Sequence, residues 1–524
     1  MTIKSVTMIR KLPNPLLSIK PHLLQSSISR KHLSPQSRRA ATSQTQKRAG
    51  DISDAFTSLS GGKAAPLDPR FAALKKRLIA GHEDAVIKSW NRLLAHLRSE
   101  VAIVSKKGSA IIPTISYSDI QKGANPSFQK QFKERGVCVV RDVVSEQDAL
   151  AYKESLRSYI AANKERTKAF PAHDPQVYEL YWSEAQLKAR SHPNLLETQR
   201  FLMEFWRVGR ESAISTQHPV AYADRLRMRQ PGDAAFSLGP HIDGGSCERW
   251  EEDGYGRGGD GNGVYGSVFK GDWEKCDLWD ATARLGVVSD LYAGIGACGA
   301  FRMAQGWLSM SNVKGGEGHL LVNPILKGAM AYLLLRPFFQ EKRSSASVST
   351  DQYLNPSNWV LEPDTTPILQ GASPGHGQEL SHILHPHLSL PTTMVHMPPV
   401  RPGDYVAWHC DTIHAVDKMH AGTTDSSVLY IPTCPLTFDN AQYLVRQRDT
   451  FLKGTPSPDF GGGEGESKHA GRLGVDDLEG VGSLRNADGL RSMGLEMWDA
   501  DAEGLTSGQR RVMNLANKEL GFYV

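Results

Sequence analysis

The stretch GPHIDGG at residues 239–245 places His241 and Asp243 two positions apart. In an extended strand, alternate side chains point to the same face, so this imidazole and this carboxylate can converge on one metal ion. Far downstream, RPGDYVAWHCDTIHAV at residues 401–416 is a turn that leads into an apolar strand and then to two histidines. Two histidines and one carboxylate hold ferrous iron while leaving positions open for other ligands. The two segments together predict a non-haem iron site.

Short apolar runs surround these two segments and are separated by Gly, Pro, Asn and Asp. Many short strands with such turn residues are typical of a β-sandwich or β-barrel. The runs lie at residues 225–229, 301–310, 319–323, 394–397, 405–408 and 428–432. We therefore predict an α+β protein with a mainly β core.

Two long stretches, 244–300 and 340–390, interrupt this strand pattern. Segments of such length inside a compact domain are usually functional lids or disorder. Tryptophans in the first stretch favour an ordered lid. The lid side chains expected to contact substrate are Tyr265, Trp273 and Trp279. Trp307 and Trp408, which fall on predicted strands, are assigned to the core.

Helices are predicted for most of the chain before residue 210. Asp68 followed by Pro69 is typical of a helix start, and the charged pattern after it continues to about residue 101. The run GVCVVRDVV at residues 136–144 predicts a buried strand. Ser145 and Ser183, each with a polar partner three residues later, predict the starts of two further helices.

The composition is that of an ordinary globular protein, with 40% hydrophobic and 22% charged residues among 524. This excludes fibrous and wholly disordered classes. Lys and Arg number 61 against 56 Asp and Glu. Ten of the basic residues and none of the acidic ones lie in residues 1–50, so 51 basic residues face 56 acidic ones in the remainder. The positive net charge therefore belongs to a leader and does not indicate a nucleic-acid partner.

The leader is rich in Arg, Lys and Ser and lacks acidic residues, which is typical of an organelle transit peptide. We expect a mitochondrial protein, and the alternative is a cytoplasmic protein with a disordered basic tail. No apolar run reaches the roughly 18 residues of a membrane span, so none is expected. Six scattered cysteines without a C-x-x-C pair favour buried thiols over disulfides or structural zinc.

Four regions follow from these patterns. Residues 1–50 form the transit peptide or leader, and 51–114 form an N-terminal helical extension. Residues 115–453 form the β-rich domain with its two inserts. Residues 454–524 form a Gly/Ser-rich tail that ends in a helix near residues 509–520.

The metal-site segments resemble the Fe(II)/2-oxoglutarate-dependent dioxygenases. The resemblance is to phytanoyl-CoA-hydroxylase-like members and, most specifically, to the YbiU-like family of unknown function, over roughly residues 115–450. It also rests on QGWLS at 305–309 and GEGHLLVNP at 316–324. The resemblance implies a cupin-like double-stranded β-helix, or jelly roll, flanked by helices. It further implies Fe(II) held by His241, Asp243 and His414, with 2-oxoglutarate and O2 as co-substrates.

The choice of the distal histidine lies between His414 and His409. In the related hydroxylases the ligand is the later histidine, which precedes a small residue, and here that residue is Ala415. His409 is then an orienting or strand-capping histidine, because ligating imidazoles are held by neighbouring polar groups.

One departure from the resembled family concerns 2-oxoglutarate. Related enzymes bind its far carboxylate with an arginine after the distal histidine, because a guanidinium can bind a carboxylate through two hydrogen bonds. The corresponding strand here, DSSVLYI at 425–431, has no arginine. The first candidate replacement is Arg302, followed by others that could supply charge or a hydroxyl: Arg227, Arg229, Lys327 and Ser426.

The sequence thus predicts an Fe(II) oxygenase, with 2-oxoglutarate as expected co-substrate, that hydroxylates a small organic molecule. The missing arginine keeps open a cupin-like metal enzyme that does not use 2-oxoglutarate. A third interpretation is a non-catalytic barrel in which a metal ion stabilises a binding module.

Overall fold

The structure is a computed structural model, and it describes residues 47, 51–59, 66–256, 263–295, 297–475, 477–478 and 486–523. The chain divides into two units, residues 1–44 and 45–524, and every described residue belongs to the second. The leader predicted over residues 1–50 lies outside the described residues, apart from Lys47.

Helices predominate before residue 210, as predicted. The pattern predicted as one helix from Asp68 is two helices, because Gly81 lies between them with a φ of 77°. The α-helices are α1 Arg70–Ile79, α2 Glu83–Lys107, α3 Tyr117–Gln121, α4 Pro126–Arg135, α5 Glu146–Ala162, α6 Glu184–Arg190, α7 Pro193–Met203, α8 Gly266–Phe269, α9 Ala281–Arg284, α10 Leu326–Leu335, α11 Thr350–Tyr353, α12 Leu390–Thr393, α13 Phe438–Lys453, α14 Ala487–Ser492 and α15 Ser507–Glu519.

Strands occupy each of the predicted apolar runs. The strands are β1 Thr114–Ser116, β2 Val137–Arg141, β3 Ala169–Phe170, β4 Val177–Tyr178, β5 Ile214–Pro219, β6 Leu226–Arg229, β7 His241–Ile242, β8 Ala304–Ser309, β9 Leu320–Val322, β10 Phe339–Glu341, β11 Trp359–Leu361, β12 Gln378–Glu379, β13 Val395–His396, β14 Tyr405–His409, β15 His414–Val416, β16 Ser426–Tyr430 and β17 Pro435–Thr437.

Two sheets contain most of these strands. The larger has the order β1-β2-β14-β8-β16-β6-β4-β3 and the smaller β12-β7-β15-β9-β13. Both are antiparallel throughout their named strands except for the β1–β2 pair, which is parallel. The chain passes between the sheets repeatedly, since β6, β8, β14 and β16 belong to the larger and β7, β9, β13 and β15 to the smaller. The architecture is therefore a mixed α/β fold with large antiparallel sheets.

The N-terminal helices are part of the main hydrophobic core. Trp90 of α2 stacks on Phe339 at a ring-centroid distance of 4.2 Å and on Tyr332 of α10 at 5.4 Å. Residues 326 and 328–335 of α10 are buried, which explains why Lys327 is the one charged residue of this helix. Burial of such aromatic side chains contributes a large share of core stability. The helical extension and the insert at 340–390 therefore stabilise the β-rich centre together.

The described C-terminal residues pack into a second hydrophobic cluster. Trp498 is buried there, and α15 confirms the predicted terminal helix. The carboxylate of Glu466 accepts hydrogen bonds from the backbone N–H groups of Tyr181 and Trp182 at 2.7 and 2.9 Å. This segment is therefore integrated into the fold and is not an appended tail. None of the described helices combines the length and apolar character needed to cross a bilayer.

Candidate metal centre

Strand pairing brings the H-x-D segment and the later histidine together. β7 and β15 are antiparallel neighbours, and His241 lies directly opposite His414. The two imidazole ring centroids are 4.1 Å apart. Asp243 follows β7 immediately, so its carboxylate reaches the same side as both rings. Possible ligand atoms of these three residues all lie within 4.8 Å of one another.

The hydrogen bonds of both histidines leave the Nε2 atoms available. The Nδ1 atom of His241 faces the Gly239 carbonyl at 2.7 Å, and Nδ1 of His414 faces the Thr412 carbonyl at 3.0 Å. This arrangement fixes each ring with Nδ1 as donor and Nε2 as a metal ligand. Each Nε2 atom lies 3.7 Å from a carboxylate oxygen of Asp243.

Electrostatics favour a neutral histidine beside a charged carboxylate. Burial lowers the pKa of His414 to about 3, so its imidazole is neutral near pH 7. Burial alone would raise the pKa of Asp243, but His241, His414 and Arg302 outweigh it, and the pKa lies below its ordinary value. Two imidazoles with available Nε2 atoms and one carboxylate are a donor set that fits Fe(II).

A cavity of about 150 Å³ adjoins the three residues. Arg225, Arg227 and Arg229 line it together. Arg227 and Arg229 lie two positions apart on β6 and so share one face, and Arg225 immediately precedes the strand at the same spacing. Ser426, on the neighbouring strand β16, also lines it and lies opposite Arg229. The predicted residues Arg302, Arg227, Arg229 and Ser426 are thus brought to one cavity.

Arg229 is fully engaged by protein acceptors. It pairs with the buried carboxylate of Asp233 and donates to the carbonyls of Asp417 at 2.6 Å and Lys418 at 2.9 Å. Such a satisfied, paired guanidinium contributes to the wall of the cavity.

Arg227 has only neutral hydrogen-bond partners among the described residues. Its Nη2 donates to Gln176 Oε1 at 2.9 Å and to the Phe236 carbonyl at 2.8 Å. Its Nε is buried without a partner in the described part of the chain. Burial lowers the pKa of this guanidinium, consistent with a charge that lacks a paired carboxylate.

Arg302 lies next to the metal-ligand carboxylate. Its Nη2 is 3.9 Å from Asp243 Oδ2, and its guanidinium carbon lies 5.5 Å from the centroid of the Tyr222 ring. No described residue forms a hydrogen bond with its side chain within normal distance. The guanidinium therefore lies beside Asp243 and has N–H groups without hydrogen-bond partners among the described residues.

Lys327 lies away from the cavity. It is exposed on α10 and donates to the carbonyl of Glu274 at 3.0 Å. The structure does not bring it together with the other predicted site residues.

His409 also lies outside the cavity. Its ring stacks on Trp206 at a centroid distance of 4.7 Å, and its Nε2 faces the Leu278 carbonyl at 3.1 Å. Its Nδ1 accepts the backbone N–H of Asp411 at 3.0 Å. The imidazole thus caps the end of β14, which matches the strand-capping alternative.

The aromatic side chains follow the prediction only in part. Trp307 and Trp408 are buried in the main core, as predicted, and they also line the cavity. The insert residues expected to contact substrate are packed elsewhere: Trp279 lies against His409, Tyr265 donates to Asp411, and Trp273 lies against His96. The expectation for the insert was wrong because its aromatic side chains bury themselves against the outside of the large sheet and the N-terminal helices.

Sequence reasoning missed a wall formed by an N-terminal strap, residues 51–59. Phe56 packs edge-on against the His241 ring at 4.8 Å. The strap is fixed by the Gly377 N–H, which donates to the Ala55 carbonyl at 2.9 Å. A Cβ atom at Gly377 would lie 2.7 Å from the Phe56 ring, so this close approach requires glycine. No local signal identifies Phe56, because its partners are distant in the sequence.

The chain matches the Gig2-like family over residues 65–495. Protein YbiU of Escherichia coli strain K12 is 31% identical over 412 residues, which are 76% of this chain and 89% of YbiU. The crystal structure of GlcNAc Inducible Gene 2 from Candida albicans is 33% identical, with a TM-score of 0.76, and the match covers 88% of this chain and 96% of that one.

A protein of Salmonella typhimurium LT2, named provisionally as an oxidoreductase, is 28% identical with a TM-score of 0.67. That match covers 83% of this chain and 99% of the Salmonella protein. The chain belongs to the Gig2-like family.

Proposed function

We propose that this member of the Gig2-like family is a non-haem Fe(II) oxygenase that uses 2-oxoglutarate and O2 to hydroxylate a small organic molecule. The observation that carries the proposal is the pair of oriented imidazoles, with both Nε2 atoms facing the Asp243 carboxylate beside a cavity. A purely structural metal site has no need for open positions. The provisional name of the Salmonella relative is consistent with this reaction class.

We also propose that the two sheets form a double-stranded β-helix. Alternation of β6 to β9 and of β13 to β16 between the sheets supports this arrangement. In such a barrel, ligands carried by the neighbouring strands β7 and β15 would face the interior.

The chain's own residues hold and shield the reacting groups. His241, Asp243 and His414 bind the iron, and the carbonyls of Gly239 and Thr412 keep both imidazoles in the ligating orientation. Bound ferrous iron with the keto acid supplies the oxidising power for hydroxylation. The enclosing walls exclude water from the reacting centre.

Arg227 is our choice for the far carboxylate of 2-oxoglutarate. Arg227 lies on β6 directly opposite Val428 of β16. From this adjacent strand it can take the place of the arginine that β16 lacks. Arg229 is already paired with Asp233, whereas the partners of Arg227 are neutral. A guanidinium without a carboxylate partner gains most from binding one.

The second candidate is a cupin-like metal enzyme that does not use 2-oxoglutarate. It is favoured by one observation, namely that Arg227 already donates to two protein oxygens. Under this alternative the metal site binds iron but the keto acid has no effect on it.

Anaerobic titration of the iron-loaded protein with 2-oxoglutarate separates the two candidates. We expect a weak visible metal-to-ligand absorption band and, after exposure to O2, formation of succinate. Asp243→Ala is the matched control and should give neither signal. Absence of both signals from the iron-loaded wild-type protein contradicts the oxygenase proposal.

A mitochondrial location remains a proposal that is supported by the composition of the leader. Import of the tagged full-length chain into isolated mitochondria, with loss of an N-terminal segment, is the expected result. An intact protein that stays outside the organelle contradicts it.

A further inference from the structure

The cavity wall is more basic than acidic. Alternate positions from Arg225 to the end of β6 and the segment before β8 supply the positive charges, and only two carboxylates of the described residues line the same space. The lining arginines are Arg225, Arg227, Arg229 and Arg302, and the lining acids are Asp224 and Asp243.

Two of these arginines are neutralised by the protein itself. Arg229 is paired with Asp233, which lies behind the wall. Arg225 Nε lies 3.3 Å from Asp224 Oδ1, and its guanidinium carbon lies 4.4 Å from the centroid of the Phe460 ring. Neither guanidinium therefore requires a ligand to balance its charge.

Arg227 and Arg302 are different, because neither has a hydrogen-bonded carboxylate within the described chain. The nearest acid to Arg302 is Asp243 at 3.9 Å, and that carboxylate is the proposed metal ligand. A metal ion bound by Asp243 competes for this negative charge. Arg302 is then a buried cation without a counter-charge, which is unfavourable unless a ligand supplies one.

A count of charges shows that 2-oxoglutarate alone does not balance the cavity. The metal ion brings two positive charges, and Arg227 and Arg302 bring one each. Asp243 brings one negative charge and the keto acid two. One positive charge remains in a buried site.

The two unpaired arginines approach the cavity from different ends. Val428 of β16 lies opposite Arg227 and also opposite Ser309, the last residue of β8. Arg302 precedes Ala304, the first residue of β8. Since a strand rises about 3.3 Å per residue, roughly 17 Å of backbone separates the two ends of β8. The backbones that carry these two arginines therefore lie toward opposite ends of β8, which allows the two side chains to bind two separate anionic groups.

We propose that the substrate is a small organic acid and that Arg302 binds its carboxylate beside the metal centre. This inference rests on the proposed function and names the substrate class for that site. The rings of Phe56, Tyr222 and Phe460 line the same cavity and provide apolar contacts for the carbon skeleton. Arg302 is thereby the specificity-determining residue, and Arg227 serves the co-substrate.

Acids and their neutral amides test the proposal directly. The probes are butyrate and butyramide, and phenylacetate and phenylacetamide, added to anaerobic protein loaded with Fe(II) and 2-oxoglutarate. The readouts are the change in Tm and the shift of the visible absorption band. In the wild-type protein we expect at least one acid to bind at least about tenfold more tightly than its amide, because only the acid offers a carboxylate to the guanidinium.

Two variants separate charge from structure. Arg302→Gln should remove the preference for the acid while changing 2-oxoglutarate affinity by less than about threefold, and Arg302→Lys should restore part of the preference. Lys327→Gln removes the same charge from the exposed face of α10 and should leave the preference unchanged.

Three outcomes overturn the proposal: equal binding of each acid and its amide, no binding of either acid, or a tenfold weaker 2-oxoglutarate affinity in Arg302→Gln. The last would make Arg302 the co-substrate clamp. Failure of the proposed function looks different, because the wild-type protein then shows no keto-acid band. In that case the change in Tm on adding the acid is measured with Fe(II) alone. If that change still requires Arg302, the proposed carboxylate site is supported even though the proposed function fails.

Discussion

Two clusters in the described part of the chain bring potential metal-ligand residues together, and they differ in whether the ligand atoms are already occupied. His241, Asp243 and His414 form the first, and the consecutive residues 409–411 (His, Cys, Asp) form the second. Both bring three potential ligand atoms within 4.8 Å of one another. Residue types and distances alone therefore do not distinguish them.

The difference lies in what the ligand atoms already bind. In the second cluster both ring nitrogens of His409 have protein partners. Asp411 is paired with Arg284 and accepts the Tyr265 hydroxyl at 2.9 Å. Burial raises the pKa of the Cys410 thiol to about 12, so it is not the thiolate that metals prefer.

The first cluster keeps its lone pairs free and faces a cavity. The ligand atoms of the second cluster instead bind residues of the insert 244–300 and fix that insert to the end of β14. The comparison shows that a metal site is recognised by unsatisfied donors that face open space, and that the same residue types serve as a structural anchor once they are satisfied.

The largest expected effect is on metal binding. His414→Ala removes one of three ligands, and we expect no measurable Fe(II) binding in an anaerobic titration of the folded protein. His409→Ala is the matched control, since it removes an imidazole only five residues away. It should keep the wild-type iron affinity within about threefold and lower the Tm, because the stacked ring and the strand cap are lost. Loss of iron binding in His409→Ala with retention in His414→Ala reverses the assignment.

The second expected effect is on stability. Asp411→Ala leaves the Arg284 guanidinium buried without its partner, and breaking such a pair costs about 3–5 kcal/mol. Urea unfolding at pH 7 measures this loss. The double variant Arg284→Met, Asp411→Leu replaces both charges with apolar groups and should recover most of the stability. An Asp411→Ala protein as stable as the wild type contradicts the anchor role.

The smallest expected effect comes from a buried carboxylate that lacks such a pair. Burial raises the pKa of Glu248 from 4.5 to about 7. The unfolded chain ionises near pH 4.5 and the folded protein near pH 7, so stability falls as pH rises between these values and stays lower above them. The shift corresponds to a penalty of about 3 kcal/mol at pH 8.

Glu248→Gln removes that ionisation and should be more stable than the wild type at pH 8 but not at pH 4.5. Its side-chain oxygen can still accept the Ser246 N–H that Glu248 accepts at 2.8 Å. Unfolding curves across this range check the expectation. A constant difference between the two proteins at all pH values contradicts a raised pKa for Glu248.

Local patterns were sufficient for much of the fold. The buried strand β2, the caps at Ser145 and Ser183 and the terminal helix α15 follow from signals within a few residues. The H-x-D segment was informative because its period-two spacing on an extended backbone is itself the geometry that the site uses.

The sequence did not show which arginine pairs with which carboxylate. Arg227 and Arg229 look equivalent in the sequence, yet Asp233 pairs with Arg229 and leaves Arg227 with neutral partners. For a related reason, the sequence did not show that the core residue Trp408 also lines the cavity or that Trp279 packs away from it. Which aromatic side chain faces the cavity depends on how the insert packs against distant helices, and no short-range pattern encodes that packing.

Lys47 connects the N-terminal part of the described chain to the cavity. Its ammonium donates to Asp459 Oδ1 at 2.9 Å, and Asp459 in turn accepts the hydroxyl of the cavity residue Tyr222 at 2.8 Å. A processing peptidase that cut just after Lys47 would leave Asp459 buried without its cation, and a cut beyond Phe56 would also remove a wall of the cavity. Recombinant versions trimmed for crystallisation or assays should therefore begin before Lys47 to keep the ion pair with Asp459, and must begin before Phe56 to keep the cavity wall.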